Sequence, residues 1–126
     1  MSTTSQQNRC NQGGPPVPNL VVAVPLDAPV DFRFIPCRSD ALLQLFLDEH
    51  VLINGDSTQW PNGELTHRLP ELSPGRHALG WTVACNGPKW QTLLEVAVDG
   101  AVERRDRKDH ATMTGLYQSV VFLDVQ

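Results

Sequence analysis

The chain has 126 residues and a mass of 13.9 kDa, which is enough for one domain with its own hydrophobic core. Hydrophobic residues make up 40% and charged residues 19% of the sequence, which excludes an intrinsically disordered chain, and ten prolines with nine glycines favour an all-β protein with many turns. A formal net charge of −4 and the lack of any apolar run of membrane-spanning length predict that neither nucleic acid nor a membrane is a partner.

The N-terminal segment has the composition of a linker, because residues 1–18 are polar and include Gly13-Gly14-Pro15-Pro16. We therefore predict a flexible arm over 1–18 and a single β-sandwich domain over 19–126. The arm has no apolar run of the kind that a classical secretory signal needs. The expected location is the cytoplasm, or outside the cell by a route without a classical signal peptide, unless a signal has been cut from a longer chain.

The first strands follow the arm. Leu20–Val24 is an apolar run of strand length, and Val30–Phe34 alternates apolar and charged residues. The next segment has two interpretations. Ser39 or Asp40 could cap a short helix near 39–47, or the segment could form a hairpin that turns at Asp48-Glu49.

An internal similarity favours the hairpin. The run QLFLDEHVL at 44–52 has the same layout as EVAVDGAVE at 95–103. The second run contains Asp99-Gly100, a strong hairpin signal because both residues tolerate the positive φ angles of a type I′ turn. A tight register after this turn would put charged side chains on the wrong face of the strand over 101–107, so we expect that strand to leave the sheet early, as edge strands do.

The second half of the chain contains the clearest strand. A short edge strand is expected over 64–69, and after Pro74-Gly75 alternate residues share one face. The face predicted to point into the core contains His77, Leu79, Trp81, Val83 and Cys85. Strands over 90–98 and 116–125 follow, and the last is apolar on both parities, which predicts a central position.

The fold predicted from these elements is an all-β, two-sheet antiparallel sandwich of seven or eight strands, because turn signals recur every 8–12 residues. A small β-barrel is the alternative.

A resemblance to a known group supports the sandwich. The run LSPGRHALGWTV at 72–83, followed by a hairpin ending in Val98-Asp99-Gly100, resembles the L-x-x-G-x-H-x-L-x-W-x-V and V-D-G pattern of bacterial immunoglobulin-like and fibronectin-type sandwich modules. The resemblance implies an immunoglobulin-like fold and a binding, spacing or assembly role, with no catalytic residues to carry over. The antibody order of Cys, Trp and Cys is not followed, because Trp60 lies in a loop between Cys37 and Cys85.

A loop tryptophan is the first candidate for ligand binding. Trp60 lies in DSTQWPNG, where an indole could stack on a sugar ring or contact a protein partner, with Asn62, Glu64 and Trp90 as its neighbours. The alternative is that Trp60 folds back over the open end of the sandwich.

A metal or acid–base site is the second candidate. His67 and His77 would meet if their strands were antiparallel neighbours, and Asp48 or Asp56 could complete the set. Otherwise the sequence shows no catalytic or nucleotide-binding motif, and no cofactor is expected.

The three cysteines have no metal-binding spacing. A bridge between Cys37 and Cys85 and two separate buried thiols are both open, and Cys10 is expected to be exposed in the arm.

The function expected from these features is that of a non-catalytic binding or assembly module, an accessory or structural protein that contacts a protein partner or itself. A carbohydrate-binding module that uses Trp60 and a small metal-dependent enzyme built on His67 and His77 are the alternatives.

Overall fold

The computed structural model describes residues 14–36, 40–86, 90–110 and 114–126. These ranges contain nine strands: β1 Val21–Val24, β2 Val30–Pro36, β3 Ala41–Leu47, β4 His50–Asp56, β5 Leu65–Arg68, β6 Gly75–Asn86, β7 Trp90–Val98, β8 Ala101–His110 and β9 Thr114–Val125. Two single-turn 3-10 helices, Ser57–Gln59 and Pro61–Gly63, connect β4 to β5.

The strands form two sheets. One has five strands in the order β1-β9-β6-β3-β4, and the other has four in the order β5-β2-β7-β8. The predicted all-β, two-sheet sandwich is confirmed, and the sheets do not close into the small barrel. The described ranges hold nine strands instead of seven or eight, and β1 runs parallel to β9 where every other pair is antiparallel. The same ranges contain no helix long and apolar enough to cross a membrane.

The core lies between the two sheets. Alternate residues of β6 face it, and Leu79, Trp81, Val83 and Cys85 are all buried, as their period-two spacing predicts. The rings of Trp81 and Phe32 lie 6.4 Å apart across the sandwich. The central position of the last strand is also confirmed, because β9 lies between β1 and β6.

Two hairpins turn in the same way. The helix considered near 39–47 is wrong for the described residues, because β3 pairs with β4 in the alternative hairpin. Its turn residues Asp48 and Glu49 have φ angles of 49° and 73°. Asp99 and Gly100 have φ angles of 51° and 84° in the β7–β8 turn, so the sequence similarity between the two segments corresponds to a shared turn geometry.

The strand after Asp99-Gly100 does not leave its sheet early. β8 remains paired with β7 as far as His110, because a register shift inserts Glu103 as an extra residue. Arg104 then lies opposite Val96 and Arg105 opposite Glu95. The bulge therefore places Arg105 and Arg107 on the outward face and turns Arg104 and Asp106 inward, where the two side chains pair with each other.

The described end of the N-terminal arm lies along β8. The backbone groups of Val17 and Arg105 exchange two hydrogen bonds of 3.0 Å. The guanidinium groups of Arg105 and Arg107 donate to the carbonyls of Pro15 and Gly14 at 3.1 and 2.9 Å. Residues 14–17 thus cover part of this sheet edge, while residues 1–13 lie outside the described ranges.

Candidate functional site

Trp60 packs onto the sandwich. Its ring lies edge-on to Phe34, with centroids 5.9 Å apart and an interplanar angle of 86°. Its indole nitrogen also comes within 3.0 Å of the position that a Cβ on Gly55 would occupy. The ring is half-buried against the core, so the arrangement is that of a side chain folded back over the end of the sandwich.

The other residues of the loop candidate have separate surroundings. Asn62 is exposed with a φ of 57°, and Glu64 accepts a hydrogen bond of 2.7 Å from Arg33. Trp90 begins β7, and its side chain lies outside the described part of the structure. Glu64 is therefore engaged in an ion pair beside the Trp60 loop.

The two histidines of the metal candidate lie in different sheets. His67 is on β5 opposite Phe32, whereas His77 is on β6 opposite Leu123. The neighbouring arrangement of β5 and β6 on which the site depends does not occur. Among the described residues, no three His, Cys, Asp or Glu side chains come together to hold a metal ion.

His77 instead pairs with a turn residue of the β3–β4 hairpin. Its Nδ1 lies 2.5 Å from Oδ2 of Asp48, and its Nε2 lies 2.7 Å from the carbonyl of Ser73. Because the carbonyl and the carboxylate both accept, this geometry favours a ring that donates from both nitrogens, which is the imidazolium form. The second Asp48 oxygen accepts the amide of Ala78 at 2.8 Å, so this carboxylate joins the turn to β6.

The geometry of this pair shifts both pKa values. The hydrogen bond from His77, with help from the Ala78 amide, lowers the pKa of Asp48. The hydrogen bond to Asp48, and then that to Ser73, raises the pKa of His77. This ion pair holds the hairpin against β6, which is a structural role.

The remaining acid candidate, Asp56, also has a local structural contact. Its side chain accepts the backbone amide and the hydroxyl of Thr58 at 3.0 and 2.9 Å, and so caps the first 3-10 turn.

Cys85 is a free, buried thiol, and burial raises its pKa to about 11. A thiol with so little thiolate is a poor nucleophile. Cys10, which the sequence predicts as an exposed thiol, and Cys37, which it leaves open as a bridge partner, lie outside the described residues.

The outer face of the four-stranded sheet is charged. Arg33 bonds Glu64 at 2.7 Å and Glu95 at 3.4 Å, and Glu95 also accepts from Arg105 at 2.7 Å. Asp31 and Arg68 form a further pair on the same face. Ile35 and Leu93 form a small buried apolar pair on this face, and Glu95 is buried beneath the two arginines, so the face combines ion pairs with a local apolar contact.

A second charged network lies at the side of the sandwich and is buried. Arg104 is 7% exposed, and its guanidinium donates to Asp106 at 2.8 Å, to the carbonyl of Asn19 at 2.6 Å and to the hydroxyl of Ser119 at 3.0 Å. The same group lies 5.5 Å from the ring of Trp81. Arg104 thus connects β8 to β9 and to the end of the arm.

The outer face of the five-stranded sheet has a different chemistry. Four rows of side chains cross it, and we call them together the neutral face: Leu42, Ala84 and Leu116; Gln44, Thr82 and Gln118; Phe46, Gly80 and Val120; Ala78, Phe122 and Val21. On β4 the edges of the first three rows are Asp56, Asn54 and Val51. Except for Asp56 at one corner, the rows contain no ionisable side chain.

Large apolar side chains on this face are open to solvent. Leu116 is 75% exposed, Leu42 55% and Val51 56%. A cleft of ≈ 620 Å³ opens beside Leu42 and Leu116, and a depression of ≈ 420 Å³ lies at Gly80 between Phe46 and Val120. The face combines exposed apolar area with recesses, which is typical of a protein contact surface.

Sequence reasoning missed the neutral face, although a signal was present. The last strand is apolar on both parities, and the strand before the NGP turn has Ala78, Gly80 and Ala84 between its inward residues. A strand whose outward residues are small or apolar has a covered outer face or a contact surface there.

Comparisons of the chain with protein-family models, with curated proteins and with solved structures found no match. The resemblance to immunoglobulin-like modules therefore stays a prediction.

Proposed function

We propose that this chain is a non-catalytic binding or assembly module that makes protein–protein contacts through its neutral face. The observation that supports the proposal is the difference between the two outer faces of one sandwich. The four-stranded sheet presents ion pairs around Arg33 and Glu95, and the five-stranded sheet presents apolar and amide side chains. A face selected only to meet water would carry charge on both sheets.

The described ionisable groups support the same reading. His77, the histidine of the enzyme alternative on β6, is bound to Asp48 and Ser73, and Glu64 is bound to Arg33. These contacts stabilise turns and strands. For Trp60, the packing on Phe34 and Gly55 accounts for its position without a glycan.

A site-specific crosslink tests the proposal. A photoreactive amino acid replaces Gln118, which is exposed in the second row of the neutral face, and in a matched variant it replaces Thr66, which is exposed on β5 in the other sheet. After irradiation in cells, we expect crosslinked species from position 118 and few from position 66. Equal yields at both positions, or none at 118, would contradict a contact function for this face.

The mass of the product separates two kinds of partner. A species of twice the chain mass indicates self-association, and any other mass indicates a different protein. Either result supports the contact function.

A further inference from the structure

We infer that the neutral face binds a second copy of this chain, face to face, about a two-fold axis that runs along the strands between β3 and β6. This inference rests on the proposed function, because it names the partner of the same surface. A two-fold interface needs a surface that is complementary to itself, and the neutral face meets that requirement in its relief, its polar groups and its charge.

The relief of the face is self-complementary. Rotation by 180° about the proposed axis lays β3 of one copy over β6 of the other. The first three rows fall on themselves, and the row of Ala78 and Phe122 falls on the Asp48-Glu49 turn of the second copy. Phe46 then lies over the depression at Gly80 of the second copy, and Leu42 lies over Ala84 of the second copy. Large side chains thus meet small ones, and symmetry repeats both contacts.

The polar groups also match themselves. Gln44 faces Thr82 of the second copy, and an amide and a hydroxyl can form a hydrogen bond in either direction. Farther from the axis β9 faces β4, which brings Gln118 near Asn54 and Val120 near Val51. The alternation of apolar and polar rows is therefore preserved across the interface.

Charge does not oppose this contact. The guanidinium of Arg76, which pairs with Asp124 at 2.8 Å, lies 5.7 Å from the centroid of the Phe122 ring at the edge of the face. The rotation brings the acidic Asp48-Glu49 turn of the second copy to this edge, so the charges that approach one another are of opposite sign. Asp56 lies at a corner, where sheet twist of about 20–25° per strand carries two packed sheets apart. The charged face of the other sheet could not meet itself in this way, because its carboxylates and guanidinium groups already pair within one copy.

The size of the face fits a reversible dimer. The axis lays β4, β3, β6 and β9 of one copy over β9, β6, β3 and β4 of the other, whereas β1 lies outside the overlap. Four strands about 4.8 Å apart and four rows about 6.7 Å apart span roughly 14 by 20 Å between backbone atoms. Side chains extend beyond those limits, so each copy would bury on the order of 500 Å², or about 1,000 Å² in total, at the lower limit for a specific interface. We expect an association that depends on protein concentration.

Sedimentation velocity on the purified full chain tests the inference, at concentrations from about 1 to about 500 µM. Wild type should shift from monomer towards dimer over this range. Gly80→Leu places a large side chain in the depression, and its Cβ would make an ordinary contact of 3.6 Å with the carbonyl of Ser119. We expect it to weaken dimerisation at least about tenfold.

A compensating variant tests the register. Phe46→Ala combined with Gly80→Leu moves the large side chain from β3 to β6, so each introduced leucine should enter the space that the lost phenyl ring leaves at position 46 of the second copy, and dimerisation should recover. Thr66→Leu on the other sheet is the matched control and should leave dimerisation unchanged. Circular dichroism melts establish that each variant is folded.

Three results would overturn the inference: a wild type that stays monomeric, a Gly80→Leu variant that dimerises as wild type does, or a double variant that dimerises no better than Gly80→Leu alone. A monomeric wild type whose position 118 crosslinks to another protein would refute self-association and leave the proposed contact function standing. A monomeric wild type without such crosslinks would refute both.

Discussion

Replacement of Arg104 by methionine should destabilise the fold strongly, because it removes one partner of a buried ion pair. The side chains of Arg104 and Asp106 are 9% and 10% exposed. Methionine occupies similar volume and can still pack near Trp81. It cannot donate to Asp106, Ser119 or the carbonyl of Asn19.

The size of the destabilisation is set by the carboxylate of Asp106, which stays buried without its partner. Removing one partner of a buried pair costs about 3–5 kcal/mol, and the small remaining exposure of Asp106 places this case near 3 kcal/mol. For a domain of this size, that corresponds to a fall of roughly 10 °C in melting temperature. Urea unfolding followed by tryptophan fluorescence measures the change as a lower midpoint with an unchanged m-value.

A second variant separates the ion pair from the other contacts. In Arg104→Met with Asp106→Leu no unpaired carboxylate remains, so the double variant should be about 2 kcal/mol more stable than Arg104→Met alone. Arg76→Met is the matched surface control, because Arg76 pairs with Asp124 in solvent, and its midpoint should barely change. A loss below about 1 kcal/mol in Arg104→Met, or a double variant that is less stable than the single one, would refute this reasoning.

Three further predictions concern the turns and the loop. Glu49→Gly should stabilise the protein by a few tenths to about 1 kcal/mol in urea unfolding, because Glu49 has a φ of 73° that costs an L-residue more than glycine; a loss of stability would contradict this. His77→Gln should lose most stability between about pH 4 and pH 6.5. The raised pKa of His77 contributes stability that is present below the ordinary value of 6.5 and is lost as the pH rises through the pKa of the folded state. The lowered pKa of Asp48 contributes stability that is present above 3.8 and is lost as the pH falls through the pKa of the folded state. Midpoints of wild type and variant measured from pH 3 to pH 9 test this, and a difference that does not change with pH would exclude the ion pair. Trp60→Ala should cost about 2 kcal/mol, as expected for a packed ring, whereas a solvent-exposed ligand platform would leave the urea midpoint unchanged.

Local features of the sequence predicted most of the strands and the Asp99-Gly100 turn, and they favoured the hairpin at Asp48-Glu49 over a helix. The segment that could have been a helix has Leu43, Leu45 and Leu47 buried at intervals of two, and this spacing places all three on one face only in a strand. Asp99-Gly100 specified its turn by backbone chemistry alone. Side-chain alternation and turn chemistry depend only on neighbouring residues, so they can be predicted from the sequence before the fold is known.

The assignment of strands to sheets could not be made in the same way. The connection over 69–74 joins β5 in one sheet to β6 in the other, whereas a hairpin across the same residues would have brought His67 and His77 together. The length and the prolines of residues 69–74 are compatible with a crossover between the sheets and with a hairpin within one sheet. The choice depends on which side chains fill the core between the sheets, and that is a property of the whole chain.

The bulge at Glu103 and the direction of the Trp60 side chain could not be predicted from neighbouring residues either. The sequence shows that charges must fall on the inward side of a strand paired after Asp99-Gly100, but it does not show whether the strand leaves the sheet or pairs those charges. Here the bulge at Glu103 turns Arg104 and Asp106 inward, and they form a buried ion pair. A loop tryptophan can likewise face solvent or return to the core. The indole returns here because Gly55 leaves space beside Phe34.

The last strand, β9, has apolar residues on both of its faces, and the core accounts for only one of them. β9 is apolar on both parities, and a central position between two neighbours explains only its backbone pairing. Its inward residues Val121 and Leu123 fill the core. Of the outward residues, Phe122 lies under the guanidinium of Arg76 at 5.7 Å, which leaves Val120 without a reason to be apolar in a face that meets only water. A second sheet face packed against the first supplies that reason, and it also explains why glycine stands between Phe46 and Val120. In a face that met only water we would expect ion pairs at these positions, like those on the outer face of the four-stranded sheet.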